Sequence, residues 1–144
     1  MSRQAAYVDI ANTLIQEIDT VVKVNRYKGE VDFPNLSEEL SGQIYIDFSN
    51  VSYSDQKGVT QKVNVNAKFY ILFANYATDH ITDVAASDSI NEALQDWDFV
   101  DSVRLLLHGL SGNGFKQITI TNESEIFTNT DLNVIVLDAF VQVC

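Results

Sequence analysis

The sequence predicts an α+β fold in which an N-terminal and a mid-chain helix pack on one antiparallel or mixed β-sheet. The sheet is expected to have about four main strands, in the chain order α-β-β-α-β-β. Three observations carry this. Apolar residues at three-and-four spacing open the chain, strict alternation occupies residues 62–74, and a nearly continuous apolar run closes it at 132–143. With 144 residues the chain has the length of one domain, spanning 1–144. A fold of this size buries roughly two-thirds of its unfolded surface, enough for a core without staples. One Pro, 6 Gly, 8 Phe, 6 Tyr and 1 Trp exclude a linker or low-complexity segment.

Tyr7, Ile10, Ala11, Leu14, Ile18, Val21 and Val22 lie on one helical face, with Asp9, Asn12, Gln16, Glu17 and Asp19 between them, predicting an amphipathic helix over 4–22. A polar connection follows to about Gly42, in which Pro34 holds Phe33 extended and residues 37–40 form a short helical turn. Ile44, Ile46 and Phe48 alternate with Tyr45 and Asp47 in a first strand, and residues 49–61, containing Gly58, read as a hairpin loop. Val63, Val65, Ala67, Phe69, Ile71 and Phe73 then alternate with polar neighbours, giving a long strand with one wet face. A connection without a helix makes the two strands antiparallel.

Ser89 and Glu92 have capping-box spacing, and a helix is expected from there to Gly109 or Gly112. Its stripe comprises Ile90, Ala93, Leu94, Trp97, Val100, Val103, Leu106, Leu107 and Leu110, with Asp96-Trp97-Asp98 as a point where it could divide. Residues 115–121 alternate Ile118 and Ile120 with threonines, and 122–131 read as polar loop. The closing strand carries Ile135, Leu137, Ala139, Val141 and Val143 on one face and Val134, Val136 and Phe140 on the other. Such a strand belongs inside a sheet or at a subunit interface, since exposed it would invite aggregation. Asp138 within it requires a sheet edge, a basic partner or protonation.

Twenty acidic against 9 basic side chains give a net charge of −11, which excludes a non-specific nucleic-acid clamp. The charge is located: −2 through Lys68 and −9 from Phe69 onward. Asp79, Asp83, Asp88, Glu92, Asp96, Asp98 and Asp101 succeed one another with no Lys or Arg between them. A helix N-terminus accounts for Asp88 and Glu92, whereas Asp96, Asp98 and Asp101 lie too far along to benefit. No secretion signal or apolar membrane span is evident, so a cytosolic protein is expected, and the Asn-x-Ser triplets at Asn35, Asn50 and Asn122 are read as chance.

The motifs of common catalytic and phosphate-binding sites are missing: no Gly-x-Ser-x-Gly, no Gly-Lys-Ser/Thr, no His-Glu-x-x-His, no EF-hand loop. His80, between Asp79 and Asp83, reads as a loop histidine among solvating acids, because a metal needs three or four convergent donors. His108 is expected to serve the end of the second helix, and Gly109, Gly112 and Gly114 to form a cap and turn. Asp47 and Asp138 are ungrouped, and the lone Cys144 can form neither an intrachain disulfide nor a Cys-x-x-Cys site. The expectation is a protein without catalysis, cofactor or metal.

The succession of an amphipathic helix (7–22), a Phe-Pro connection, an Ile-x-Ile-x-Phe strand, a long alternating strand (62–74), a helix ending in glycine (89–109) and two closing strands resembles the tail-terminator and head-to-tail joining proteins of long-tailed bacteriophages. The resemblance spans nearly the whole chain and rests on element order. It implies an α+β subunit of a ring, commonly a hexamer, that caps the tail tube and meets the neck of the capsid while DNA passes through the hole. The implied place is the virion, assembled in a bacterial host's cytoplasm, and the implied partners are further copies, the tail tube and neck proteins, with no membrane. The long first connection and the divisible second helix depart from the pattern, leaving terminator, neck protein and minor tail component as alternatives.

An acidic lining would keep sliding DNA from sticking, which makes Asp79, Asp83, Asp96, Asp98 and Asp101 the candidate lumen-facing residues. Ring closure needs head-to-tail contacts, for which Val134, Val136, Asp138 and Phe140 of the last strand and Gly58 of the hairpin are candidates. The rival reading is a small cytosolic protein- or ligand-binding domain, which predicts a concave apolar pocket and a stable monomer or dimer.

Overall fold

The fold was obtained as a computed structural model, which describes residues 3–21, 23–29, 42–56, 60–74, 87–127 and 132–143. The elements are α1 (Arg3–Glu17), β1 (Lys23–Arg26), β2 (Gln43–Gln56), β3 (Thr60–Ala74), α2 (Ser87–Leu107), β4 (Phe115–Phe127) and β5 (Leu132–Val143). The strands form one mixed sheet in the order β1-β2-β3-β5-β4, parallel between β1 and β2 and antiparallel elsewhere. The fold class is α+β as expected, with a fifth strand. That strand, β1, lies in a stretch read as connection. Four residues supply too few alternations to stand out, and it is the register of Val24 with Ile44 that holds it extended.

α1 ends at Glu17, five residues before the expected end. Ile18 and Val21 keep their apolar role by packing against the core from the turn that follows. Residues 49–56, expected as loop, continue β2. A bulge between Asp47 and Asn50 sets Phe48 and Ser49 against one partner residue, and the Ser49 amide donates to Asp47 Oδ1 at 2.9 Å. Residues 122–127, also expected as loop, continue β4 past a second bulge between Ile120 and Asn122. Both extensions are rich in Ser, Asn, Asp and Glu. Their backbones pair even where no apolar side chain signals it. α2 runs unbroken through Asp96-Trp97-Asp98.

The core lies between the helices and one sheet face. Ala6, Ile10 and Leu14 of α1 and Val100, Val103 and Leu107 of α2 meet Ile44, Ile46, Ala67, Phe69, Ile71, Ile118, Ile135, Leu137 and Val141, all buried. Each such Ile, Leu or Phe contributes on the order of 1.5–3 kcal/mol by leaving water. β5 runs between β3 and β4, so its two apolar faces sit inside the sheet, one of the two alternatives that its sequence allowed.

The glycines after α2 act differently from one another. Gly109 has φ 83 and ends the helix, its amide donating to the Ile118 carbonyl at 2.8 Å. Nothing lies within 4 Å of a Cβ placed on it, so Gly109→Ala costs only the left-handed backbone, about 1 kcal/mol by urea unfolding. Gly112 and Gly114 instead pass directly beneath α1, where the Asn113 amide donates to Asp9 Oδ2 at 2.9 Å.

Candidate functional site

Along β3 and β5, alternate residues leave the core and form the sheet face opposite the helices. In register across that face stand Asp47, Lys68, Asp138 and Asn122, one from each of four strands. Asn122 Nδ2 donates to Asp138 Oδ2 at 3.2 Å, Thr121 Oγ1 donates to the Asp138 carbonyl at 3.2 Å, and Asp138 Oδ1 is enclosed without a hydrogen bond. Asp138 is therefore neither on an edge strand nor alone: Lys68 and Asn122 flank it on the adjacent strands. Asp47, Lys68 and Asp138, with Thr119, Thr121 and Phe140, line an open cavity of about 520 Å³.

The other half of this face is apolar. Tyr45, Leu72, Val134 and Val136 pack with Tyr27, Tyr70 and Ile126, and the Tyr27 and Tyr70 rings stack at 3.9 Å with 9° between planes. Val134 and Val136 are 0% and 3% exposed within the subunit. Of the residues the sequence offers for a subunit contact, Asp138 and Phe140 thus reach the surface, and Gly58 lies outside the described residues. Burial first, then Tyr27, Asp47 and Asp138, pushes the Tyr70 hydroxyl above its ordinary 10.0. An acid held neutral by the fold gives stability that is complete below the unfolded pKa and is lost as pH rises through the folded one. The urea midpoint should therefore fall above about pH 10, and fall less in Tyr70→Phe, which keeps the ring and removes the ionisation.

Asp98 and Asp101 are exposed on α2, Asp101 lying 3.8 Å from Arg104 across one helical turn. Glu123 and Glu125 on β4 extend the exposed acidic surface on the same side of the sheet. Asp79, Asp83 and His80 lie outside the described residues, as does the side chain of Asp96 within α2. His108 does not serve the carbonyls of α2: its Nδ1 accepts the Ile120 amide at 3.1 Å, just before the β4 bulge, which places the proton of the neutral ring on Nε2. Among the described residues no three His, Cys, Asp or Glu side chains converge as a metal site, and no helix is long and apolar enough to cross a membrane.

Two surface features escape sequence reading. Trp97, placed by spacing in the apolar stripe, is 58% exposed, and Leu105 is 68% exposed. The buried stripe is Val100, Val103 and Leu107, and each three-residue step rotates about 60° around the helix, carrying Trp97 off the face that meets the sheet. Where α1 meets β1 and β2, Arg3, Gln4, Tyr7, Arg26 and Phe48 line a pocket of about 210 Å³. Tyr7 meets Phe48 edge-on at 6.1 Å and 89°, and Arg3 Nη1 donates to the Phe48 carbonyl at 3.0 Å. Burial raises the Tyr7 hydroxyl pKa, and the positive charge of Arg26 pulls it partly back.

No protein-family model and no curated protein matches the chain by sequence. Among solved structures, a chain from the virion of a native gene transfer agent particle superposes with a TM-score of 0.56 at 10% identity, over 95% of this chain and 92% of that one. The two chains share a fold. The superposition includes nearly every residue of both chains.

Proposed function

We propose that the protein is a structural subunit of a phage or prophage virion, a ring-forming tail-terminator or head-tail joining protein that acts without catalysis. The observation that carries the reading is the fold shared with a gene transfer agent virion chain across 95% of this chain. It supports a virion structural protein, and the finer role rests on the family that the order of elements resembles. In this role the subunit closes a ring, commonly a hexamer, on the end of the tail tube, contacts the neck, and leaves a hole for DNA. A net charge of −11 suits a channel through which DNA slides, because carboxylates repel phosphates. Asp98 and Asp101, with Asp79, Asp83 and Asp96, are the residues proposed to face the hole.

A second reading, a small protein- or ligand-binding domain, draws on the open cavity at Asp47, Lys68 and Asp138. Sedimentation velocity and negative-stain imaging of the protein, alone and with purified tail tubes, separate the two. The ring reading expects closed annuli in solution or on tube ends. A monomer at every concentration that also leaves tube ends bare would sink it.

A further inference from the structure

A ring of identical subunits closes through two different patches on each subunit. The sheet order puts β1 and β4 at opposite edges, with α1 packed over β1 and β2 and α2 against β4. The two unexplained surface features therefore lie on different elements, one where α1 meets β1 and β2 and the other on the exposed face of α2. They are also chemically complementary. The α1–β1 pocket has aromatic walls from Tyr7 and Phe48 and two guanidinium groups, and its 210 Å³ suits one aromatic side chain. Arg3 is pinned there by the Phe48 carbonyl, while Arg26 is exposed and forms no ion pair among the described residues. Four residues apart on α2, Trp97, Asp101 and Leu105 form one exposed stripe of an indole, a carboxylate and an aliphatic side chain.

We propose that the Trp97–Asp101–Leu105 stripe of one copy docks on the Arg3–Tyr7–Arg26–Phe48 pocket of the next, forming the head-to-tail contact of the ring. The inference rests on the ring reading above and specifies its interface. The indole enters the pocket, where an arginine can lie on its face, and Asp101 pairs with Arg26 at the rim. A buried aromatic anchor beside an arginine is the composition that concentrates binding energy in protein interfaces. The contact moves Asp101 from the lumen-facing set into the interface and leaves Asp98, one residue from the tryptophan, on the exposed flank.

Trp97 is the single tryptophan of the chain and reports on its own burial. Its emission should shift to the blue as protein concentration, or added tail tube, drives assembly. Trp97→Ala, Asp101→Arg and Arg26→Asp should each raise the concentration for half-assembly tenfold or more, with unchanged urea midpoints because all three positions are exposed. The paired reversal Arg26→Asp with Asp101→Arg should restore assembly. Rings that form with Trp97 still emitting as an exposed indole, or single variants that assemble like the parent, would overturn this interface while leaving the ring reading intact. Absence of rings from the parent protein under all conditions would overturn both.

Discussion

Gly114→Ala should be among the most destabilising single-methyl additions in the protein, costing about 3 kcal/mol in urea unfolding, the upper end of the overpacking range. The reason is contact alone. Gly114 is buried and does not need a left-handed backbone, yet a Cβ there would lie 2.5 Å from the Ala6 amide nitrogen and 2.7 Å from the Ala5 carbonyl carbon. Those atoms are backbone of α1 and cannot rotate aside. Accommodation requires the helix to lift, and Ala6, Ile10 and Leu14, all 0% exposed, lift with it. The contrast with Gly109→Ala is the control, since that site has open space and a strained φ. If the two variants lost equal stability, the close approach of the 112–114 turn to α1 would be wrong.

Phe69→Ala should cost about 3–5 kcal/mol, a large share of the total stability of a domain this size. Phe69 is 0% exposed on the central strand and faces Ile46 of β2 and Leu137 of β5 in register. Truncation opens a cavity in the core that the sheet shares with the helices, and antiparallel pairing on each side keeps β3 from moving in to fill it. Phe69→Leu retains most of the volume and should recover more than half of the loss. A variant at the edge of unfolding would also show lower soluble yield, so the comparison belongs in urea titrations of refolded protein with a measured m-value.

Legibility followed chemistry along the chain. The strand at 62–74 and the closing strand at 132–143 were plain because a period of two in Val, Ile, Phe and Ala side chains has no other economical reading. The outer halves of β2 and β4 were not, since Ser49 to Gln56 and Asn122 to Ile126 present mostly polar side chains and are strands only because a partner strand lies alongside. Spacing likewise put Trp97 in the apolar stripe of α2. Which face of a helix is covered depends on where the sheet passes beneath it, and here Val100, Val103 and Leu107 take that place.

The surface residues show the same division. Asp101, as a lumen-facing candidate, and Phe140, as a subunit-contact candidate, could be named from charge run and strand pattern, whereas the pocket of Arg3, Tyr7, Arg26 and Phe48 gathers two residues from a helix and two from separate strands. No spacing rule connects them. The sequence by itself determined an α+β domain with an acidic second half, a buried closing strand and no recognisable catalytic motif, because composition and periodicity are local properties. The tertiary structure decided which apolar residues stay outside, how Asp138 is flanked and that Arg3, Tyr7, Arg26 and Phe48 gather into one pocket. Those depend on strand order, and strand order is set by long-range packing that a local pattern does not encode.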